Sequence, residues 1–244
     1  MSGPLALHGG GEFLPGDEAF LAAILGRAAE RPGRAAASLV RVVVVPTATA
    51  RHGPERAAAL GTATLQRVAA SLGLAAQVDA VMVVDGPSAA DPALATALTG
   101  ADLIHLPGGD PDVIPALYPD TAAWSAMRAA WGGGAVIAGA SAGAMALASL
   151  TWTPDGFVPG LGLVPGLLVV PHADARSWAE TARRFAADRP PGLGVLGLAE
   201  RTGVIGRPGE PWLVVGEGKA RWLAPGSMEP IVAAAGETLD LHVD

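Results

Sequence analysis

The chain has 244 residues and no cysteine, which excludes disulfides, thiolate metal sites and cysteine nucleophiles. Charge is sparse as well. Only 16% of the residues are charged, and Lys219 is the one lysine. The formal net charge is −7 and no basic cluster interrupts it, which argues against nucleic acid or an anionic membrane surface as a partner. No apolar run reaches membrane-span length without a Gly, Pro or charged interruption. The start, MSGPLALHGGG, has neither a charged beginning nor a long apolar stretch, so no signal peptide is expected. A soluble cytoplasmic protein is the expectation. Histidine–carboxylate spacings typical of a metal site are missing. Gly9 to Gly11 matches neither a Gly-x-Gly-x-x-Gly nor a Walker pattern, and no cofactor is expected.

What is there is apolar. Half of the residues are hydrophobic, enough for a sizeable core and incompatible with general disorder. Strand and helix signals alternate. Strands are expected at Pro4–His8, at the β-branched run Val40–Pro46, at Gln77–Val84 and at Ala101–Pro107. Between them lie a helix capped by Asp17 and running to about Glu30, one from Pro54 to Leu72 stopped by Gly73, and one from Asp91-Pro92 to Gly100. A helix over Pro119–Trp131 follows. This alternation implies an α/β fold: a doubly wound, mostly parallel sheet with helices on both faces. Beyond it, Thr151–Gly166 reads as a Pro/Gly-rich loop, Leu167–Val170 as a strand, Ser177–Asp188 as a helix and Gly194–Ala199 as a strand. From Val204 onward, short strands with Gly turns predict a β-rich C-terminal edge. No linker or repeat divides the chain, so residues 1–244 are expected to form a single domain.

One stretch organises the chemistry. In Gly132–Leu147, GGGAVIAGASAGAMAL, a short apolar strand runs straight into a helix. Ser141 stands between them in Gly139-Ala140-Ser141-Ala142-Gly143, the Gly-x-Ser-x-Gly pattern of a nucleophile elbow. The alternative is a glycine-rich turn whose serine only caps the helix. In open parallel sheets ligands bind beyond the carboxyl ends of the strands, and Gly108-Gly109-Asp110, Ser141, His172 and Glu200 all fall at such ends. A serine hydroxyl needs an imidazole to take its proton. The imidazole in turn needs a carboxylate to fix its tautomer. The glycine pair is placed to offer N–H groups to an oxyanion. Asp155 competes with Glu200 as the acid. It sits in Thr153-Pro154-Asp155-Gly156, which is turn chemistry, whereas Glu200 follows a core strand that anchors its backbone. His8, ending the first strand, is placed to line the same cleft, while His105 lies within a strand and reads as packed.

These residues resemble the serine peptidases that include cyanophycinase and peptidase E (aspartyl dipeptidase). The resemblance rests on Gly139–Ala144, on Gly9-Gly10-Gly11-Glu12 and on Leu106–Asp110. It also rests on Gly160–Leu163 with Pro171-His172, on Leu196–Glu200 and on Val215–Gly218. It implies a sheet like that of class I glutamine amidotransferases, of flavodoxin-like type, with a Ser-His-Glu triad. In that triad Ser141 is the nucleophile, His172 the base and Glu200 the orienting acid, with the N–H groups of Gly109 and Ala142 as oxyanion hole. It implies exopeptidase or dipeptidase action on short peptides, with Asp-containing bonds as a candidate target. Two positions depart from the family pattern: Pro111 stands where Gln is common, and Ala173 stands where an aromatic residue often follows the histidine. Both departures bear on the substrate pocket and not on the triad. For substrate contact, Asp110 and Arg176 are the candidates, Arg176 as a bidentate partner of a substrate carboxylate. The expected partner is a short peptide; a homodimer is compatible with the sequence and not required by it. Two other readings share the elbow. In an α/β-hydrolase esterase the acid precedes the histidine, with more strand–helix units between serine and histidine. A non-catalytic binding protein would hold a small ligand at the same strand ends.

Overall fold

The computed structural model describes residues 2–34, 38–174, 176, 178–181 and 189–241. In chain order its elements begin with β1 (Leu5–His8), α1 (Glu18–Ala29), β2 (Val40–Val44), α2 (Pro54–Ser71) and β3 (Ala76–Ala80). Next come α3 (Gly86–Ala90), α4 (Pro92–Thr99), β4 (Leu103–Leu106), α5 (Val113–Leu117), α6 (Ala122–Gly132), β5 (Val136–Ala140) and α7 (Ala142–Leu147). The remainder is strand: β6 (Ala148–Thr153), β7 (Gly156–Pro159), β8 (Val164–Val170), β9 (Gly194–Leu198), β10 (Thr202–Gly206), β11 (Trp212–Gly216), β12 (Lys219–Leu223), β13 (Ile231–Ala234) and β14 (Thr238–Leu239). Local signals set several boundaries. Pro54 opens α2, where its missing N–H costs nothing. The Asp91 carboxylate caps α4 by accepting the Ala93 N–H at 2.7 Å, and the Thr121 hydroxyl caps α6.

The strands form two sheets. The eight-stranded sheet has the order β14-β11-β10-β1-β5-β4-β2-β3. Its β1-β5-β4-β2-β3 half is parallel, and β10, β11 and β14 extend it antiparallel. This is the mostly parallel α/β sheet that the strand–helix alternation predicts. The second sheet has six strands in the order β13-β12-β9-β8-β6-β7, and the strand–helix alternation does not predict it. Thr151–Gly166 is not a plain loop: most of it is the β6–β7 hairpin and the start of β8. The Pro and Gly residues that suggest a loop mark its turns, with Gly156 at φ 115°. The helix expected over Pro119–Trp131 begins only at Ala122. The helix expected over Ser177–Asp188 lies largely outside the described residues.

Side-chain alternation along the strands creates the layers. From β1, Ala6 joins a core with α1 and α2, while Leu5 and Leu7 join a core with α6, α7 and the second sheet. From β8, Leu167 and Val169 enter that shared core, whereas Leu168 and Val170 pack with Trp178 on the far face. Leu5, Leu7, Leu167 and Leu168 are fully buried, each contributing about 1.5–3 kcal/mol. Among the described residues no helix is long and apolar enough to cross a membrane.

His105 on β4 is fully buried, as its place within a strand implies, and its ring lies 5.0 Å from that of Phe13. Burial, with a smaller effect of the neighbouring His8, lowers its pKa from 6.5 to about 3. The folded chain therefore keeps His105 neutral at pH values where the unfolded chain protonates it. Stability is lost as pH falls through 6.5 toward about 3, at about 1.4 kcal/mol per pH unit from this group. His105→Leu should remove that component. Urea unfolding of both proteins from pH 7 to pH 4 should give the flatter profile for the variant; parallel profiles would contradict the buried neutral imidazole.

Candidate active site

The segment after β5 turns sharply at Ser141, whose φ is 48° and ψ −115°. A non-glycine residue there stores roughly 1–3 kcal/mol of strain, which the neighbours must hold in place. They do so by close packing. A Cβ on Gly139 would come within 2.5 Å of the Gly143 carbonyl carbon, and one on Gly143 would overlap the Leu106 carbonyl oxygen. Only glycine fits at either position, so the Gly-x-Ser-x-Gly spacing is a steric requirement of this turn.

Three side chains meet at the carboxyl ends of the strands. Ser141 Oγ lies 3.1 Å from His172 Nε2, and His172 Nδ1 lies 3.0 Å from Glu200 Oε1. They come from different places: Ser141 from the end of β5, His172 from just beyond β8 in the second sheet, and Glu200 from the β9–β10 connection that joins the two sheets. One short piece of backbone ties them together. The carbonyl of His8 accepts the Ser141 N–H at 2.9 Å, that of Gly9 accepts the His172 N–H at 2.8 Å, and that of Gly10 accepts the Arg201 N–H at 2.8 Å. Ser141, His172 and Arg201 all have positive φ, at 48°, 52° and 52°, so each of these bonds holds a strained residue. Gly10, at φ 112°, lies under the imidazole: a Cβ there would overlap Cε1 and come within 2.8 Å of Nδ1. The glycine run that matches no phosphate-binding pattern is thus a clasp for the residues at the site.

Gly109 and Ala142 lie together beside Ser141, lining one cavity with it. Ala142 is the first residue of α7, so its N–H has no acceptor within the helix. The Gly109 N–H makes no hydrogen bond among the described residues. The preceding amide, of Gly108, donates to Glu12 Oε1 at 2.7 Å, and a Cβ on Gly108 would lie 2.9 Å from both that oxygen and Ser141 Cβ. Glu12 therefore stands next to the serine and fixes the glycine loop. Its sequence signal was its place in Gly9-Gly10-Gly11-Glu12, to which no role was attached.

The remaining candidates are dispersed. Asp110 directs its carboxylate to Arg51 and His52, at 3.5 and 3.3 Å. Arg51 also grips Asp112 with two hydrogen bonds of 3.0 and 2.7 Å, which hold the Asp112 carboxyl below its ordinary pKa. Arg176 is exposed; its N–H donates to Asp174, and it does not line the cavity at Ser141. Asp155 is exposed in the β6–β7 turn, and the acid beside His172 is Glu200. His8 does not line the cleft. It is fully buried, with Nε2 3.0 Å from Asp17 Oδ1 and Nδ1 accepting the Gly10 N–H at 3.3 Å. Asp17 precedes α1 but makes no side-chain cap; its second oxygen accepts the Phe13 N–H at 2.9 Å. His8 and Asp17 thus brace the glycine clasp from beneath. The cavity against Ser141 and His172 has a volume of about 330 Å³, near the lower limit of ordinary small-ligand pockets.

Known proteins share this fold. The structure is similar to that of a peptidase from an acI-B1 Actinobacterium, with a TM-score of 0.81 and 26% sequence identity over 98% of this chain and 97% of that one. It also shares its fold with a candidate peptidase E of Listeria monocytogenes EGD-e, with a TM-score of 0.58 and 16% identity over 89% of this chain and 99% of the other. A search of curated proteins returns no match. The family model of peptidase family S51 matches residues 30–208. With the elbow and the parallel strands β2 to β5 inside that span, the chain belongs to peptidase family S51, a family of serine peptidase hydrolases.

Proposed function

We propose that this chain is a serine exopeptidase or dipeptidase that hydrolyses short peptides through an acyl-enzyme on Ser141. The observation that carries the reading is the hydrogen-bonded run from Ser141 Oγ through both ring nitrogens of His172 to Glu200 Oε1, with steps of 3.1 and 3.0 Å. With Glu200 ionised, the imidazole proton sits on Nδ1, and Nε2 is left to accept the serine O–H. As Oγ attacks the scissile carbonyl, its proton moves to Nε2 and Glu200 stabilises the imidazolium. The carbonyl oxygen, now negative, is met by the N–H groups of Gly109 and Ala142. The imidazolium then gives its proton to the leaving amine, and the peptide C–N bond breaks. Water, deprotonated by the same nitrogen, releases the acyl group by the reverse sequence.

The His172 and Glu200 side chains are each 52% exposed. Bound peptide would shield them from water and strengthen the pair. The order Ser, His, Glu along the chain differs from the Ser, acid, His order of α/β-hydrolases, and the carboxylate at His172 Nδ1 is that of Glu200. Cleavage at Asp-containing bonds, the preference that goes with peptidase E, calls for a cation at the cleft, and Arg176 does not line the cavity. The proposed substrate is therefore a short peptide without a required aspartate.

Four substitutions test the assignment. Ser141→Ala should retain the fold, because a small residue suits the turn, while peptide hydrolysis drops by several orders of magnitude and labelling by a fluorophosphonate probe disappears. Near-wild-type turnover in this variant would end the serine mechanism. Glu200→Gln keeps the shape but cannot stabilise the imidazolium; its kcat should fall by up to about 10,000-fold, against little change for Asp155→Asn. The reverse pattern would move the acid to Asp155. Gly10→Ala should displace the imidazole by its added methyl and reduce kcat by about 100-fold, the scale of an ångström-sized misplacement. A Gly10→Ala enzyme of full activity would show that the clasp does not set the position of His172.

A further inference from the structure

Among the described residues, the wall of the cavity beside Ser141 is mostly apolar. Apart from Ser141 and His172, the side chains that line it among the described residues include Pro111, Met145, Trp152, Val169, Val170 and Thr181. None of these carries a charge, and the Thr181 hydroxyl is their only oxygen or nitrogen group apart from the Trp152 indole. Met145, Val169 and Val170 are each less than a tenth exposed, so the wall is part of the packed core. Its elements are fixed: Met145 follows Ser141 by one turn of α7, Trp152 stands on β6, and the two valines end β8 just before His172. The cavity also includes Gly109 and Ala142, so it opens on the side where the scissile carbonyl oxygen would lie.

From this we infer that the enzyme selects an uncharged, apolar side chain on the substrate residue that supplies the scissile carbonyl, and disfavours aspartate there. The inference rests on the peptidase reading given above. An aspartate side chain entering this space would leave water for a wall with no cation among the described residues, which is unfavourable unless it takes up a proton. A leucine, methionine or phenylalanine side chain entering it is stabilised in proportion to the apolar surface it removes from water. Pro111 supports the same conclusion. It fills the place where the family resemblance leads one to expect a hydrogen-bonding Gln, and it turns a polar position of the wall into an apolar one.

The test compares kcat/KM for dipeptides Xaa-Ala, with Xaa as Leu, Met, Phe, Asp or Lys, on the full-length chain. In parallel, fluorophosphonate labelling of Ser141 is competed with boronic acid analogues of leucine and of aspartate. The apolar substrates should exceed Asp-Ala by tenfold or more, and the leucine analogue should protect Ser141 at correspondingly lower concentration. Pro111→Arg, which sets a cation at the edge of the cavity, should narrow the Leu-to-Asp ratio at least fivefold through a gain on Asp-Ala. Labelling of Ser141 together with equal or faster cleavage of Asp-Ala would overturn this inference and leave the peptidase reading intact. Absence of labelling would overturn both.

Discussion

The site depends on three successive carbonyl groups. His8, Gly9 and Gly10 present their oxygens to the amides of Ser141, His172 and Arg201, at 2.8 to 2.9 Å. Each amide belongs to a residue in a left-handed or otherwise disfavoured conformation, and each strained residue is at the site or beside it. A single backbone segment that pairs with all three fixes their spacing far more tightly than three separate loops would. The segment itself is fixed from below, where the His8 ring and the Asp17 carboxylate, both buried, receive the amides of Gly10 and Phe13. Strain at the chemistry is balanced by hydrogen bonds that run into the core.

This arrangement explains why the glycines cannot be exchanged for alanine. At Gly139 and Gly143 the obstacle is backbone from the next turn and from β4; at Gly10 it is the imidazole itself. Glu12 adds a fourth tie by holding the Gly108 amide, so the same short loop reaches both the proposed proton-transfer partners and the glycine pair proposed to meet the oxyanion. The apolar wall is a different kind of element. Met145 and Val169 belong to the core shared by the two sheets and Val170 to the cluster on the far face, so the wall's shape follows from packing.

Much of this was legible in the sequence because it depends on local patterns. The β-branched run at Val40–Pro46, the Pro54 and Asp91 helix starts and the elbow at Ser141 are each decided by residues within a few positions of one another. The placement of His172 and Glu200 at strand ends was legible for the same reason. The second sheet was not, because whether β8 and β9 pair with β1 or with β6 is settled by contacts distant in the chain. Thr151–Gly166 misled for a related reason: strand formation there comes from partners across the hairpin, while composition registers only the turns. Asp17 stood where a capping residue should stand and instead faces a histidine on a strand. Nothing in its flanking residues distinguishes the two uses.

Ser141 is carried by one sheet, His172 by the other, and Glu200 by the chain that passes between them. On the proposed mechanism, turnover is therefore a gauge of how the two sheets are seated against each other. On gentle heating, a displacement of about an ångström between the layers is enough to break the run of hydrogen bonds while every strand remains paired within its own sheet. Thermal inactivation of such an enzyme precedes the loss of secondary structure, and the temperature at which activity fails reports the grip of the shared core of Leu5, Leu7, Leu167, Val169, Leu196 and Leu198.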